Sequence, residues 1–177
     1  MDIVEASMAA VRDRGLKVVL PEGEDERILR SAQQLSAMRL ARPVVLGAVA
    51  ELQARAAALG IGLEGCDIRD PASDAALGAY AERLGAARER MSAAMAARTL
   101  RKPLYFGGAM VAAGDASAMV AGAANPTRRV IEAGLMTVGL APGITTPSSF
   151  FLMILPAATY VFADCAINAD PSPEQLA

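Results

Sequence analysis

Histidine is absent from this chain, and only two of its 177 residues are cysteine. Because histidine is the usual general base near neutral pH and the commonest zinc ligand, its absence excludes Ser-His and Cys-His nucleophile pairs within the chain. Cys66 and Cys165 lie far apart and form no C-x-x-C motif, which favours a reducing compartment over a disulfide framework. We expect both cysteines to be small buried side chains.

Excess charge of either sign is also lacking, since 17 Lys and Arg face 19 Asp and Glu for a net charge of −2. This balance disfavours a nucleic-acid partner, which calls for a basic footprint. The first residues carry no signal-peptide pattern, so we expect a cytoplasmic protein. Residues 133–163 are uncharged, but prolines, Gly143 and a polar run divide them into strand-sized pieces. They predict a buried sheet rather than a membrane span.

Short, continuous apolar runs alternate with helical patterns along the first part of the chain. Strands are predicted at residues 17–20, 43–46, 67–70 and 118–121, and helices at residues 28–38, 52–59 and 73–91 and from Ser92 onward. The apolar segment 103–110 receives no assignment. Continuously apolar strands are buried on both faces, so the pattern predicts an α/β fold with a parallel sheet flanked by helices, a layered α/β/α arrangement.

The last part of the chain has a different pattern. Residues 150–155 and 159–163 are strongly apolar strand candidates, and a helix start at Ser172 leaves too few residues to cover them. We therefore predict a first α/β domain over residues 1–146 that lacks its C-terminal elements, and a truncated second α/β domain that begins over residues 147–177.

Residues 122–129 form the strongest candidate binding site, because they directly follow the fourth predicted strand and open a helix. Small residues let an anion approach the backbone, Asn125 and Thr127 offer side-chain donors, and a helix N-terminus carries partial positive charge. Arg128 and Arg129 in the first turn oppose the helix dipole, which favours a bound anion. The alternative is a capped helix start with solvated arginines, and the pattern leaves both open.

Two further segments have polar groups that could serve a site. The acidic residues of segment 21–27 could be catalytic, but the helix dipole also favours acids at a helix start, and the structural interpretation is preferred. Segment 142–149 could line a cleft with the hydroxyl groups of Ser148 and Ser149, or link two domains. A hinge with some polar contacts is the preferred interpretation.

Several segments together resemble the N-terminal portion of phosphate acetyltransferases (phosphotransacetylases) of the phosphate acetyl/butyryltransferase family. They occur in the family's order over nearly the whole chain, which makes the resemblance specific. The matching segments are 18–25 (VVLPEGED) with Arg27, 41–47 (ARPVVLG), 105–107 (YFG), 119–123 (MVAGA), 141–143 (APG), 148–152 (SSFFL) and 161–168 (VFADCAIN).

The resemblance implies reversible acetyl transfer between acetyl-CoA and inorganic phosphate, giving acetyl phosphate and CoA. It further implies two α/β domains with the active site in the cleft between them, and a dimer. Coenzyme A is a substrate in this scheme, and neither a cofactor nor a metal is required. Neither nucleic acid nor a membrane is an expected partner.

The resemblance also assigns roles to individual residues. Arg88 corresponds to a family arginine implicated in CoA binding, although the residues after it differ from the family's. Segment 122–129 corresponds to the family's Ser-Gly-Ala-x-His-Ser-Thr turn, with Asn125 at the histidine position. The family's helix arginine falls on Glu132, while Arg129 lies one turn earlier on the same face, where it can serve the same phosphate.

The family's catalytic serine, arginine and aspartate belong to a C-terminal half that these 177 residues do not include. We therefore expect little or no transferase activity from this chain alone, since one wall of a cleft neither excludes water nor positions a thiol. The alternatives are a non-catalytic anion-binding module or remnant, and a phosphate butyryltransferase.

Overall fold

The computed structural model describes residues 3–89, 91–163, 165, 167–168 and 172–173. The chain forms two compact units, Met1–Val138 and Gly139–Ala177. The division follows Val138, whereas the predicted domain boundary follows residue 146. That the later residues begin a second, incomplete α/β domain stays a prediction.

Four parallel strands form the centre of the first unit, in the order β3-β2-β1-β4. The register sets Val19 of the central strand opposite Val44 on one side and Met119 on the other. The predicted parallel sheet is therefore confirmed. The strands are β1 (Lys17–Leu20), β2 (Arg42–Leu46), β3 (Asp67–Arg69) and β4 (Ala118–Met119).

Helices cover both faces of this sheet, as the continuous apolar strands predict. On one face Leu20 and Val45 pack in a buried cluster with Leu29 and Leu52 of α2 and α3, and on the other Val19 packs with side chains of α4, α5 and α6. The helices are α1 (Ile3–Val11), α2 (Glu26–Ala37), α3 (Val49–Ala58), α4 (Leu77–Ala86), α5 (Ala93–Leu100), α6 (Pro103–Ala113) and α7 (Thr127–Thr137).

The helix predicted over residues 73–91 is shorter in the structure, where α4 spans Leu77–Ala86. Its start is delayed because the Asp74 carboxylate accepts the amide of Ala76 at 2.8 Å and pairs with Arg69 at 2.6 Å. These contacts hold residues 74–76 in a turn. The next helix, α5, begins after Ser92, whose hydroxyl accepts the amide of Met95.

The unassigned apolar segment 103–110 belongs to helix α6. It begins with Pro103 at the first helical position, where a missing amide hydrogen costs nothing. Its helical periodicity is hidden because nearly every side is apolar, which is typical of a helix buried all round. The predicted strand 118–121 is shorter than expected, since only Ala118–Met119 pair as a strand.

The second unit contains an antiparallel hairpin of β5 (Phe150–Ile154) and β6 (Thr159–Ala163), with Phe151 opposite Phe162. Both predicted strands are confirmed, but the predicted buried sheet is not formed within the described residues. All ten strand residues are exposed, and each strand pairs only with the other among the described residues. The helix predicted from Ser172 lies mostly outside the described residues.

The prediction that both cysteines are buried is wrong for Cys165. Cys66 is partly buried, whereas Cys165 is exposed in the loop after β6. Among the residues that the structure describes, no helix combines the length and the apolar character needed to cross a membrane.

Candidate functional site

A crevice of about 550 Å³ opens at the carboxyl ends of the strands in the first unit. The chain runs from β1 outward to β2 and β3 and then returns to add β4 on the opposite side of β1. The loops after β1 and β4 therefore diverge, and such a reversal point is where open α/β sheets bind ligands. Residues lining the crevice include Glu22, Lys102, Tyr105, Asn125, Arg129 and Glu132.

Glu22 lies in the loop after β1, and only 6% of its surface is exposed. One carboxylate oxygen accepts the amides of Gly122 at 2.9 Å and Ala123 at 2.8 Å. The other accepts the amides of Ala124 at 2.9 Å and Asn125 at 2.7 Å, and also the side-chain amide of Asn125 at 2.8 Å. Residues 122–125, here called the amide loop, thus converge on one carboxylate.

Two glycines make this approach possible. Gly122 has a φ of 116°, a backbone conformation that other residues rarely adopt, and it turns the chain out of β4. Gly23 lies so close to the end of β2 that a β-carbon would sit 2.7 Å from the Leu46 carbonyl oxygen. The two loops can therefore close around the carboxylate of Glu22.

The electrostatics of the amide loop favour an ionised Glu22. Burial raises the pKa of the Glu22 carboxyl, but hydrogen bonds from the Asn125 side chain and the loop amides outweigh it. The pKa of Glu22 therefore lies below its usual value of 4.5. A full negative charge occupies the amide loop at neutral pH.

Segment 21–27 also contains Asp25, the N-cap residue of α2, which agrees with the structural interpretation of its acidic residues as helix-start residues. Asp25 precedes α2 and accepts the amide of Arg27 at 2.9 Å. Hydrogen bonds from the side chain and the amide of Arg27 lower the pKa of Asp25 to about 2. Arg27 also donates to the Ala123 carbonyl at 2.5 Å, which ties α2 to the amide loop that already binds Glu22.

The structure divides the predicted residues of segment 122–129 into two groups. Asn125 and Arg129 line the crevice, together with Lys102, whose ammonium lies 5.8 Å from the centre of the Tyr105 ring. Thr127 and Arg128 are exposed and do not line it. The amides of residues 122–125, where the sequence predicts that an anion approaches the backbone, instead bind the chain's own Glu22.

Arg88 lies at the other end of α7. Its guanidinium donates to the carbonyl oxygens of Leu135 at 2.9 Å and Met136 at 3.0 Å, in the last turn of that helix. Since α7 has 11 residues, its two ends are about 16 Å apart. The structure therefore does not bring Arg88 together with Asn125.

Ser148 and Ser149 belong to the second unit, directly before β5, where Ser148 is exposed and Ser149 partly buried. Sequence reasoning missed Glu22 as a site residue, because acids near a helix start have a local explanation. A usable signal was available: Glu22 directly follows a buried strand, at the edge of the sheet where Gly122 and its small neighbours follow another.

The fold and the crevice define an α/β protein with a candidate ligand site at the carboxyl edge of a parallel sheet. The model of the family described as phosphate acetyl/butaryl transferase matches residues 2–177, and the chain belongs to this family. The family resemblance inferred from the sequence is confirmed.

Curated relatives include the phosphate acetyltransferase of Corynebacterium glutamicum, which is 38% identical over 90% of this chain and 49% of its own length. The phosphate acetyltransferase of Staphylococcus aureus strain MSSA476 is 32% identical over 99% of this chain and 54% of its own length. The chain thus spans about half the length of these relatives.

Solved structures of similar proteins agree with this fold. The EutD phosphotransacetylase from Staphylococcus aureus superposes with a TM-score of 0.89 at 30% identity, covering 97% of this chain and 52% of that one. A phosphotransacetylase from Streptococcus pyogenes superposes with a TM-score of 0.90 at 32% identity, and the match covers 97% of this chain and 54% of that one.

Proposed function

We propose that this chain provides one wall of a phosphate acetyltransferase site, which transfers an acetyl group reversibly between acetyl-CoA and inorganic phosphate. The observation that carries the proposal is the family match over residues 2–177. The crevice at the strand ends supports it, because it has room for a small phosphorylated substrate and because Lys102 and Arg129 line it beside the acidic residues Glu22, Glu24, Asp25 and Glu132.

In the proposed reaction the thiolate of CoA attacks the acetyl carbonyl of acetyl phosphate. A carbon–sulfur bond forms, the bond from the carbonyl carbon to the phosphate oxygen breaks, and inorganic phosphate leaves. The thiol proton passes to a base. Positive groups on the wall would contribute mainly by stabilising the negative charge that develops in the transition state.

Arg129 is the proposed phosphate ligand on this wall. It lines the crevice, and among the described residues no carboxylate forms an ion pair with it. A guanidinium that faces a cavity presents two parallel donors to a phosphate. Asn125 supports the same wall, whereas Thr127 and Arg128 have a smaller proposed share because they lie outside the crevice lining.

Arg88 is proposed to bind CoA, on the basis of the family resemblance. Its contacts with the last carbonyls of α7 fix the guanidinium near the surface. Ser148 and Ser149 are proposed polar contacts of the second unit. We also propose that the protein is cytoplasmic and that it forms a homodimer.

Acetyl transfer is preferred over butyryl transfer, because the relatives compared above are named phosphate acetyltransferases. The alternative of a non-catalytic anion-binding module receives no support from the amide loop, since its donors are occupied by Glu22.

The test of the function measures acetyl-CoA formation from acetyl phosphate and CoA. We expect little or no turnover from the 177-residue chain alone. The same chain joined to the C-terminal half of the Corynebacterium glutamicum relative should give robust turnover. A folded chimera without activity contradicts the proposal, and robust turnover by the chain alone contradicts the expectation that a second wall is needed.

A binding measurement tests the proposed role of Arg129. Calorimetric titration of the 177-residue chain with inorganic phosphate should show about tenfold weaker binding for Arg129→Ala, because a charge-assisted hydrogen bond is lost. Arg128→Ala should lose less. Arg98→Ala, an exposed arginine of α5, is the control for a change in overall charge.

A further inference from the structure

Glu22 is the only charged side chain that is buried among the described residues. An isolated buried carboxylate is strongly destabilising, so its presence requires compensation. Here the compensation is complete, because five hydrogen bonds of 2.7 to 2.9 Å reach its two oxygens. All five donors belong to the amide loop, about one hundred residues later in the chain.

The carboxylate joins the two loops that diverge at the reversal point of the sheet. The loop after β1 contributes Glu22, and the loop after β4 contributes the donors and leads directly into α7. Arg129 lies in the first turn of that helix and lines the same crevice as Glu22. The position of Arg129 therefore depends on how the amide loop is held.

Only a carboxylate of this length satisfies the amide loop. Each oxygen of Glu22 accepts at least two donors. Glutamine offers one acceptor oxygen, and its amide group would point a second set of donors at the loop amides. Aspartate is one methylene shorter and cannot reach all four amides from the same backbone position.

We infer that Glu22 is a positioning residue, whose carboxylate fills the amide loop and sets the start of α7, so that Arg129 rather than the backbone binds the substrate phosphate. This inference rests on the proposed function. It deepens that function by separating two places where an anion could sit: the amide loop, reserved for the chain's own carboxylate, and the crevice in front of Arg129.

Amide hydrogen exchange and phosphate titration of the 177-residue chain test the inference together. Glu22→Gln should speed exchange at residues 123–125 about tenfold or more, since a strong acceptor is replaced by a donor. Phosphate binding should weaken about fivefold to tenfold, because Arg129 is no longer held in place. Glu26→Gln makes the same chemical change on α2, outside the crevice, and should alter neither.

Chemical rescue is the second arm. Glu22→Ala removes the atoms of one acetate ion, so sodium acetate should slow exchange at residues 123–125 and restore part of the phosphate affinity. The wild-type chain should show no such response, and sodium chloride at equal ionic strength should not rescue the variant. This arm also applies where Glu22→Gln fails to fold.

The outcomes separate the inference from the proposed function. Faster exchange with unchanged phosphate affinity overturns the inference and leaves Glu22 with a structural role only. Unchanged exchange in Glu22→Gln overturns it as well. Absence of phosphate binding in both the wild-type chain and Glu26→Gln contradicts the proposed role of Arg129, and the positioning role fails with it, whereas the proposed function itself fails only if the folded chimera is inactive.

Discussion

Opposite charges from elsewhere in the first unit bind the loop that leads into helix α7 and the last turn of that helix. At the N-terminal side the carboxylate of Glu22 accepts the amides of residues 122–125, and at the C-terminal side the guanidinium of Arg88 donates to the carbonyls of Leu135 and Met136. The Arg88 contact complements the negative end of the helix dipole, whereas Glu22 binds amides of the loop before the helix. They differ in burial, since Glu22 is buried and Arg88 only partly so.

The difference in burial between Glu22 and Arg88 indicates how well water can replace each side chain's hydrogen bonds when that side chain is removed. Carbonyl groups in the last turn of a partly exposed helix find water when an arginine is removed. Four amides that converge around a buried carboxylate lose a charged acceptor that a few waters replace poorly. We therefore expect the N-terminal contact to matter more for stability than the C-terminal one.

The largest expected effect is the loss of stability in Glu22→Ala. Its free energy of unfolding should fall by about 3 kcal/mol, because the donors of the amide loop lose a charged acceptor. Urea denaturation followed by circular dichroism measures this change. Glu26→Ala removes an exposed pair with Arg30 and should change stability by less than about 0.5 kcal/mol. Equal losses of stability in Glu22→Ala and Glu26→Ala would contradict the larger stabilising role expected of the buried Glu22 carboxylate.

A smaller loss is expected at the opposite end of the helix. Arg88→Ala should lower the free energy of unfolding by about 1 kcal/mol, and Arg88→Lys should recover part of it through the remaining positive charge. Arg83→Ala, on the exposed side of α4, is the control for losing an arginine. If Arg88→Ala destabilises as much as Glu22→Ala, burial does not explain the difference between the two ends.

The same variant tests the family role of Arg88. If Arg88 also binds CoA, Arg88→Ala should weaken CoA binding in a calorimetric titration, and Arg88→Lys should restore it less well than it restores stability. Unchanged CoA affinity in Arg88→Ala would leave Arg88 with only its contacts to α7.

The smallest expected effect is a difference in pH dependence. The folded pKa of Glu22 lies below its usual value of 4.5, so its stabilising contribution is present above that pH and is lost as pH falls through the folded pKa. The stability gap between the wild-type chain and Glu22→Gln should therefore narrow as pH is lowered below 4.5. A gap that stays constant or widens would contradict a charged Glu22.

Local patterns predicted much of the fold because the relevant interactions are local or periodic. The apolar run of β1 gave its residue bounds, and the spacing of α2 and α3 gave those helices to within a few residues. Helix α6 was not assigned, because its sides are almost uniformly apolar and carry no periodic signal.

The candidate site was predicted less completely, because its main contacts join distant parts of the chain. Asn125 and Arg129 were identified from the helix start that they occupy, and both line the crevice. Their relation to Glu22 depends on the order of strands, since β1 and β4 are neighbours only after the chain has crossed the sheet. The contacts of Arg88 with the end of α7 are likewise invisible in a local pattern.

A crystal structure of the chain with inorganic phosphate would show directly which of the two positions the anion takes. We expect a phosphate within hydrogen-bond distance of the Arg129 guanidinium, with the carboxylate of Glu22 still bound to the amides of residues 122–125. A phosphate seated on those amides, with Glu22 displaced, would contradict this expectation.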